Sequence, residues 1–269
     1  MGILSAAVAA AATAVLERGA DKLPKENREP YLRTNHRGEQ VTLLEGPVAV
    51  LGALAGVAAS QSPAKAKAAA LVAGAVSGAV GAYDDLRGTT QAKGFRGHLS
   101  ALQRGEVTSG AVKILGVGAA GLAAAALLPR KSRGVKALAG IVADGALIAG
   151  TANLTNLLDL RPGRALKAVT AVSAPLAITN GAAGAVVGAA TASAPSDLGE
   201  RSMLGDCGAN GLGAITGTAL ATGLPRPLKT LALAAVVALN LASEKVSFTK
   251  VIAGNPVLDK IDQWGRRPR

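Results

Sequence analysis

The chain has 269 residues, 49% of them hydrophobic but only 2% aromatic, with 34 glycines and a formal charge of +12. A soluble core of that size normally uses more Phe, Tyr and Trp, so the composition argues against an ordinary globular enzyme and for Ala/Gly/Val/Leu helices packed in lipid. The single cysteine, Cys207, excludes a disulfide framework and CxxC metal sites, and without aromatic interleaving the basic charge does not read as a nucleic-acid surface.

Charged residues fall in islands between nine apolar runs: Ile3–Leu16, Leu43–Ala59, Ala68–Tyr83, Gly110–Leu128, Val135–Ala152, Ala165–Thr179, Gly181–Ala194, Gly208–Thr222 and Leu228–Ser243. Each approaches the length of one membrane-crossing helix, about 20 residues. Packing inside a large soluble helical protein is the alternative, disfavoured by the scarcity of polar faces. The first run has Ala-x-Ala sequences but no positive n-region, so a retained helix is expected rather than a signal peptide. Gly52/Gly56, Gly74/Gly78 and Gly184/Gly188 are spaced as in close helix–helix contacts. Asn180-Gly181 is a turn signal that splits the uncharged stretch 168–194 into a hairpin.

The expected fold is all-α: a polytopic membrane bundle of about nine transmembrane helices in a single domain, 1–269, with a short basic tail at 244–269. Asp84-Asp85, Asp159 and Asp206 each follow or precede a run, and two helices separate each cluster from the next, so all three are expected at one membrane face. That face would hold 21 of the 29 Lys and Arg, which makes it cytoplasmic and the N-terminus external, in an inner (plasma) membrane. Arg130, Lys131, Arg133 and Lys136 in an outer loop run against the rule.

Adjacent carboxylates at a helix end repel each other unless a cation compensates them. Asp84, Asp85, Asp159 and Asp206 on one face would supply the oxygen ligands that Mg²⁺ prefers, in the chemistry of phosphoryl transfer. The plain alternative is a solvated helix end.

The segments Ala82-Tyr83-Asp84-Asp85-Leu86-Arg87-Gly88, Asn153-Leu154-Thr155-Asn156-Leu157-Leu158-Asp159 and Leu204-Gly205-Asp206-Cys207-Gly208-Ala209-Asn210 resemble, in order and spacing, three motifs of the polyprenyl-phosphate hexosamine-1-phosphate transferases (glycosyltransferase family 4). That family includes phospho-MurNAc-pentapeptide translocase and the GlcNAc-1-phosphate transferases. The resemblance runs over roughly Arg33 to Thr222, and Asn35 to Gly46 is similar to the family's entry to its second helix. It implies a Mg²⁺-dependent enzyme of cell-wall biogenesis that moves a sugar-1-phosphate from a UDP-hexosamine donor to a polyprenyl phosphate lipid such as undecaprenyl phosphate. Asp84, Asp85 and Asp159 take the catalytic positions. Asp206, with Asp159, takes the metal position, and Asn153 and Asn156 lie by the nucleotide diphosphate. A second copy of the chain is a candidate partner.

The chain also departs from the pattern. Pro162 stands where a further aspartate is usual, and the late histidine-rich loop is missing, since only His36 and His98 exist. The alternative function is therefore a catalytically altered relative that binds lipid-linked precursors or a partner. Arg161 and Arg164 suit a phosphate clamp in place of that carboxylate, or an ordinary helix anchor. Lys93, Arg96 and Arg104 read as anchors and His98 as a polar loop residue. Asp144, inside the fifth run, is as an intramembrane acid a functional candidate by default, with pairing to Lys113 or capping of a distorted helix as the alternative, and Trp264 is expected to anchor the tail at the interface.

Overall fold

The computed structural model describes residues 1–88, 103–105 and 108–268; Lys93, Arg96 and His98 lie outside them. In chain order its helices are α1 (Gly2–Asp21), α2 (Lys25–Arg28), α3 (Glu45–Ala59), α4 (Ala64–Arg87), α5 (Ser109–Leu127), α6 (Gly134–Leu158), α7 (Arg164–Ser173), α8 (Gly181–Leu198), α9 (Gly205–Gly223), α10 (Arg226–Ser243), α11 (Phe248–Gly254) and α12 (Pro256–Gln263). The fold is helical, as the composition implies. One exception is a hairpin ahead of α3, in which β1 (Leu32–Thr34) pairs antiparallel with β2 (Gln40–Thr42). Gly38, at φ +81°, supplies the left-handed turn residue there.

Among the described residues four helices are long and apolar enough to cross a membrane: α1, α4, α5 and α6. A fifth is reached if α10 and α11, bent by 100° at their break, form one span, and α3 is apolar but short. This is fewer than the nine expected from the runs, although each run coincides largely with a helix. α7 has only 10 residues before a 3₁₀ turn at Ala174–Leu176. α9 carries Asp206, Asn210 and several threonines, which lower its hydropathy, and yet it is buried from Cys207 to Ala221 without a break.

The outer helices do the reverse. α10 buries only Val236 and turns Leu228, Leu231, Leu239 and Leu241 outward, and Ile3, Val15, Leu115 and Leu138 are likewise exposed on α1, α5 and α6. An apolar exterior around a polar-tolerant interior fits a membrane-embedded protein.

Helix α9 is the hub, packed on α4 and α6 and also on α3, α7 and α8. Small residues permit this. A Cβ on Gly213 would lie 2.7 Å from Ala152 Cα, and one on Gly217 would lie 2.7 Å from Ile148 Cα. The paired glycines work in the same way at α1, where Gly52 and Gly56 of α3 and Gly184 and Gly188 of α8 abut its residues. Ser5 Oγ lies 2.8 Å from Gly56 O and 2.5 Å from Gly181 O, joining the three helices. The expected hairpin is present: the Asn180 side chain caps α8 by accepting from Ala182 N and Ala183 N.

Gly217→Ala should therefore lower stability by about 1–3 kcal/mol through overpacking against α6. Gly118→Ala, where the added Cβ meets nothing within 4 Å, should be neutral or better. Thermal unfolding of the detergent-solubilised variants checks the contrast, and equal midpoints would refute the close α9–α6 contact.

Candidate functional site

The first N–H groups of a helix have no partner within it, and α9 starts inside the protein, after the fully buried Leu204. Two aspartates from other helices approach it, and one of them satisfies it. Asp85, in the last turn of α4, accepts from Asp206 N through Oδ1 and from Cys207 N through Oδ2, each at 2.9 Å. Asp159, the residue that ends α6, lies beside the N–H of Gly205. The Asp85 carboxylate also lies favourably at the positive end of the helix dipole.

Close approach makes this reach possible. A Cβ on Gly81 would overlap the Asp206 carbonyl, and one on Gly46 the Leu204 carbonyl. Gly205 takes φ +62°, the left-handed conformation that turns the chain into α9. Arg33 of β1 donates to the Asp85 backbone carbonyl, fastening the hairpin to the same corner. Burial first, and then the negative charge of Asp197, hold the Asp159 carboxyl well above the usual carboxylate range.

Asp84 takes a different partner. The Lys113 ammonium, in the second turn of α5, sits 2.7 Å from Asp84 Oδ2 and 2.7 Å from Asp206 Oδ2. The three acidic segments thus converge, as expected from their spacing by helix pairs, but with divided roles: Asp85 holds α9, Asp159 lies beside its first residue, and Asp84 and Asp206 share a lysine. Lys113 also lines a groove of about 430 Å³ with Asn153, Asn156, Asn210, Ser243 and Glu244. In that groove Asn153 Nδ2 donates to Asn240 Oδ1 at 2.6 Å, and Asn210 Nδ2 donates to Asp206 O at 2.8 Å.

Arg161 and Arg164 are placed elsewhere. Arg164 is buried, with Nε 2.8 Å from Asp262 Oδ1, Nη2 2.9 Å from Asp262 Oδ2 and Nη1 3.0 Å from Thr249 Oγ1, so it binds the tail. Lys167 Nζ donates to Asp262 O at 2.8 Å, and Arg266 Nη2 lies 2.6 Å from Asp262 Oδ1. Arg161 lines a cavity of about 400 Å³ with Arg164, His36, Arg37 and Glu200, and a small one of about 50 Å³ with Asp159 and Asp197. Trp264 is 76% exposed.

Asp144 does not pair with Lys113. Its partners are Arg130 at 3.0 Å and Lys229 at 2.8 Å, at the other end of the helices. Sequence reasoning missed Lys113 as a member of the acidic cluster. The available signal was its place, one helix on from Asp84-Asp85 and at the same end. The docking of the tail through Asp262 had no signal, since a basic segment with scattered acids reads as solvated.

No protein-family model matches the chain, and no curated protein sequence matches it.

Among the described residues no group of three or more His, Cys, Asp or Glu could hold a metal ion. The geometry offers a smaller donor set, in which Asp84 and Asp206 converge on a single positive charge, that of Lys113. Two carboxylates suffice for Mg²⁺ where phosphate oxygens and water complete the shell. Asp85, committed to α9 amides, is not part of that set.

Removing the lysine should leave two adjacent carboxylates uncompensated. Lys113→Met is expected to cost about 3–5 kcal/mol, and the triple variant Lys113→Met/Asp84→Asn/Asp206→Asn should recover most of it. Denaturant unfolding measures both, and an unaltered Lys113→Met protein would contradict the shared ion pair.

The tail supplies a pH test. Burial raises the Asp262 carboxyl, but hydrogen bonding to Arg164 and the charges of Arg164, Arg266 and Lys167 outweigh it, and its pKa falls below the ordinary value. A depressed pKa gives stabilisation that is complete above the unfolded value, about 3.9, and is lost as pH falls through the folded one. The tail should therefore stay docked from neutral pH to about pH 4 and release below it, whereas Asp262→Asn should release it at pH 7. Proteolytic cleavage within 248–268 reports the docking.

Proposed function

We propose that the chain is a polytopic plasma-membrane transferase of the polyprenyl-phosphate hexosamine-1-phosphate type. In this reading about nine helices cross the membrane, with the N-terminus outside and the acidic face cytoplasmic. The observation that carries it is the meeting of Asp84, Asp206 and Lys113 beside a groove to which Asn153, Asn156 and Asn210 contribute polar groups. Carboxylates and an ammonium in a partly dry site suit a reaction whose charge lies on phosphates.

The carrier's phosphate oxygen attacks the β-phosphorus of a UDP-hexosamine. A new P–O bond forms, the bond to the UMP oxygen breaks, and UMP leaves with the electron pair. Lys113, drawn from the carboxylates to the phosphates, binds negative charge at the reacting group. Asn153, Asn156 and Asn210 donate amide hydrogens to diphosphate oxygens and orient them in line. Asp85 acts through position, holding the start of α9 so that Asp206 faces Asp84. Mg²⁺, held by Asp84 and Asp206 when bound with substrate, supplies charge neutralisation on the diphosphate.

The occupation of both carboxylates by Lys113 favours a second reading, a non-catalytic relative that binds the carrier phosphate or lipid-linked precursors. UMP release from a panel of UDP-hexosamines, with undecaprenyl phosphate and Mg²⁺, separates the two. The transferase reading expects release that requires lipid and falls at least about 100-fold in Asp206→Asn. No release across the panel from folded protein would overturn it in favour of the binding role.

A further inference from the structure

The opposite end of the helices holds a cavity of about 620 Å³ that the transferase reading does not use. The chain reaches it where α3, α5 and α9 end and where α4, α6, α8 and α10 begin. Lys67, Arg130, Lys131, Lys136, Arg226 and Lys229 line it, against one carboxylate, Asp144. Six cations around one cavity repel each other and are costly to gather unless an anion joins them.

Asp144 cannot neutralise the set, because it is buried and fully engaged by Arg130 and Lys229. It acts as a strut that fixes a guanidinium from the α5–α6 connection and an ammonium from α10 on the same wall. Arg130 Nη2 is held further by Ala125 O at 2.9 Å, while its buried Nε has no hydrogen-bond partner among the described residues. Lys131, Lys136 and Arg226 are exposed and form no ion pair among the described residues. The first turns of α4, α6, α8 and α10 add the positive ends of their dipoles.

We infer that this cavity is a binding site for a phosphate-class anion, the headgroup of an anionic lipid or a free phosphate, at the face opposite the acidic cluster. The volume suits a headgroup rather than a bare ion. Fixed Arg130 supplies planar, directional donors, and the exposed lysines supply mobile charge. The inference also accounts for the basic residues that run against the orientation rule: of the eight Lys and Arg expected on this side, six line the cavity.

The test uses the full chain in neutral detergent. Retention of phosphatidylglycerol against phosphatidylcholine is read by native mass spectrometry, and pyrophosphate binding by calorimetry. Wild type should bind at least one of the two phosphate probes. Lys131→Gln/Lys136→Gln/Arg226→Gln, which breaks no ion pair, should weaken that binding about tenfold or more with an unchanged melting temperature. Lys245→Gln/Lys250→Gln/Lys260→Gln, on the tail, should leave it intact. Binding of lipid alone identifies a headgroup site, and binding of pyrophosphate identifies a soluble phosphate ligand. Failure of wild type to bind either probe, an undiminished cavity variant, or an equal loss in the tail variant would overturn the inference.

Discussion

The start of α9 is a helix N-terminus set inside the protein, and the rest of the acidic end is arranged around it. Its amides need acceptors where water is scarce. Asp85 from α4 provides two of them, and Asp159 from the end of α6 lies beside the first amide, so three helices meet at one point. Once Asp85 is spent on backbone, Asp84 and Asp206 are left side by side, and Lys113 neutralises them. Glycines at 46, 81 and 205 follow from the same constraint, since the chains could not approach α9 closely enough with side chains there.

Much of this was legible in the sequence, for physical reasons. Apolar runs separated by charged islands mark helices however the protein is solvated, so α1 and α3–α10 could be placed. Counting helices between Asp84-Asp85, Asp159 and Asp206 brought the acids to one end, because up-and-down helices alternate. The glycine pairs were a weak signal in so glycine-rich a chain, and yet those at 52/56 and 184/188 mark the seats for α1.

What escaped depends on side-chain direction and on long-range pairing. Adjacent Asp84 and Asp85 look equivalent as a motif, but successive residues of a helix point about 100° apart, so one meets Lys113 and the other meets α9. Lys113 and Asp144, two isolated charges in apolar runs, invited pairing with each other. They sit at opposite ends of the helices, and each found other partners. Arg164, read as a phosphate clamp, is held by Asp262 nearly a hundred residues on.

The two ends of the helices carry contrasting electrostatics. One gathers carboxylates and neutralises them with a lysine beside an asparagine-lined groove; the other gathers cations around a single carboxylate. The proposed transfer to a lipid carrier would use both, the first to orient a diphosphate and the second as a basic seat for headgroups.

The account depends most directly on the capping of α9 by Asp85. Amide hydrogen exchange across 204–210, compared between wild type and Asp85→Ala, tests it at the atoms concerned. Strong protection of the Asp206 and Cys207 amides in wild type, lost in the variant while the remainder of α9 stays protected, is the predicted result. Equal exchange in the two proteins would contradict the convergence of the acidic segments on this helix end, and with it the arrangement of the site.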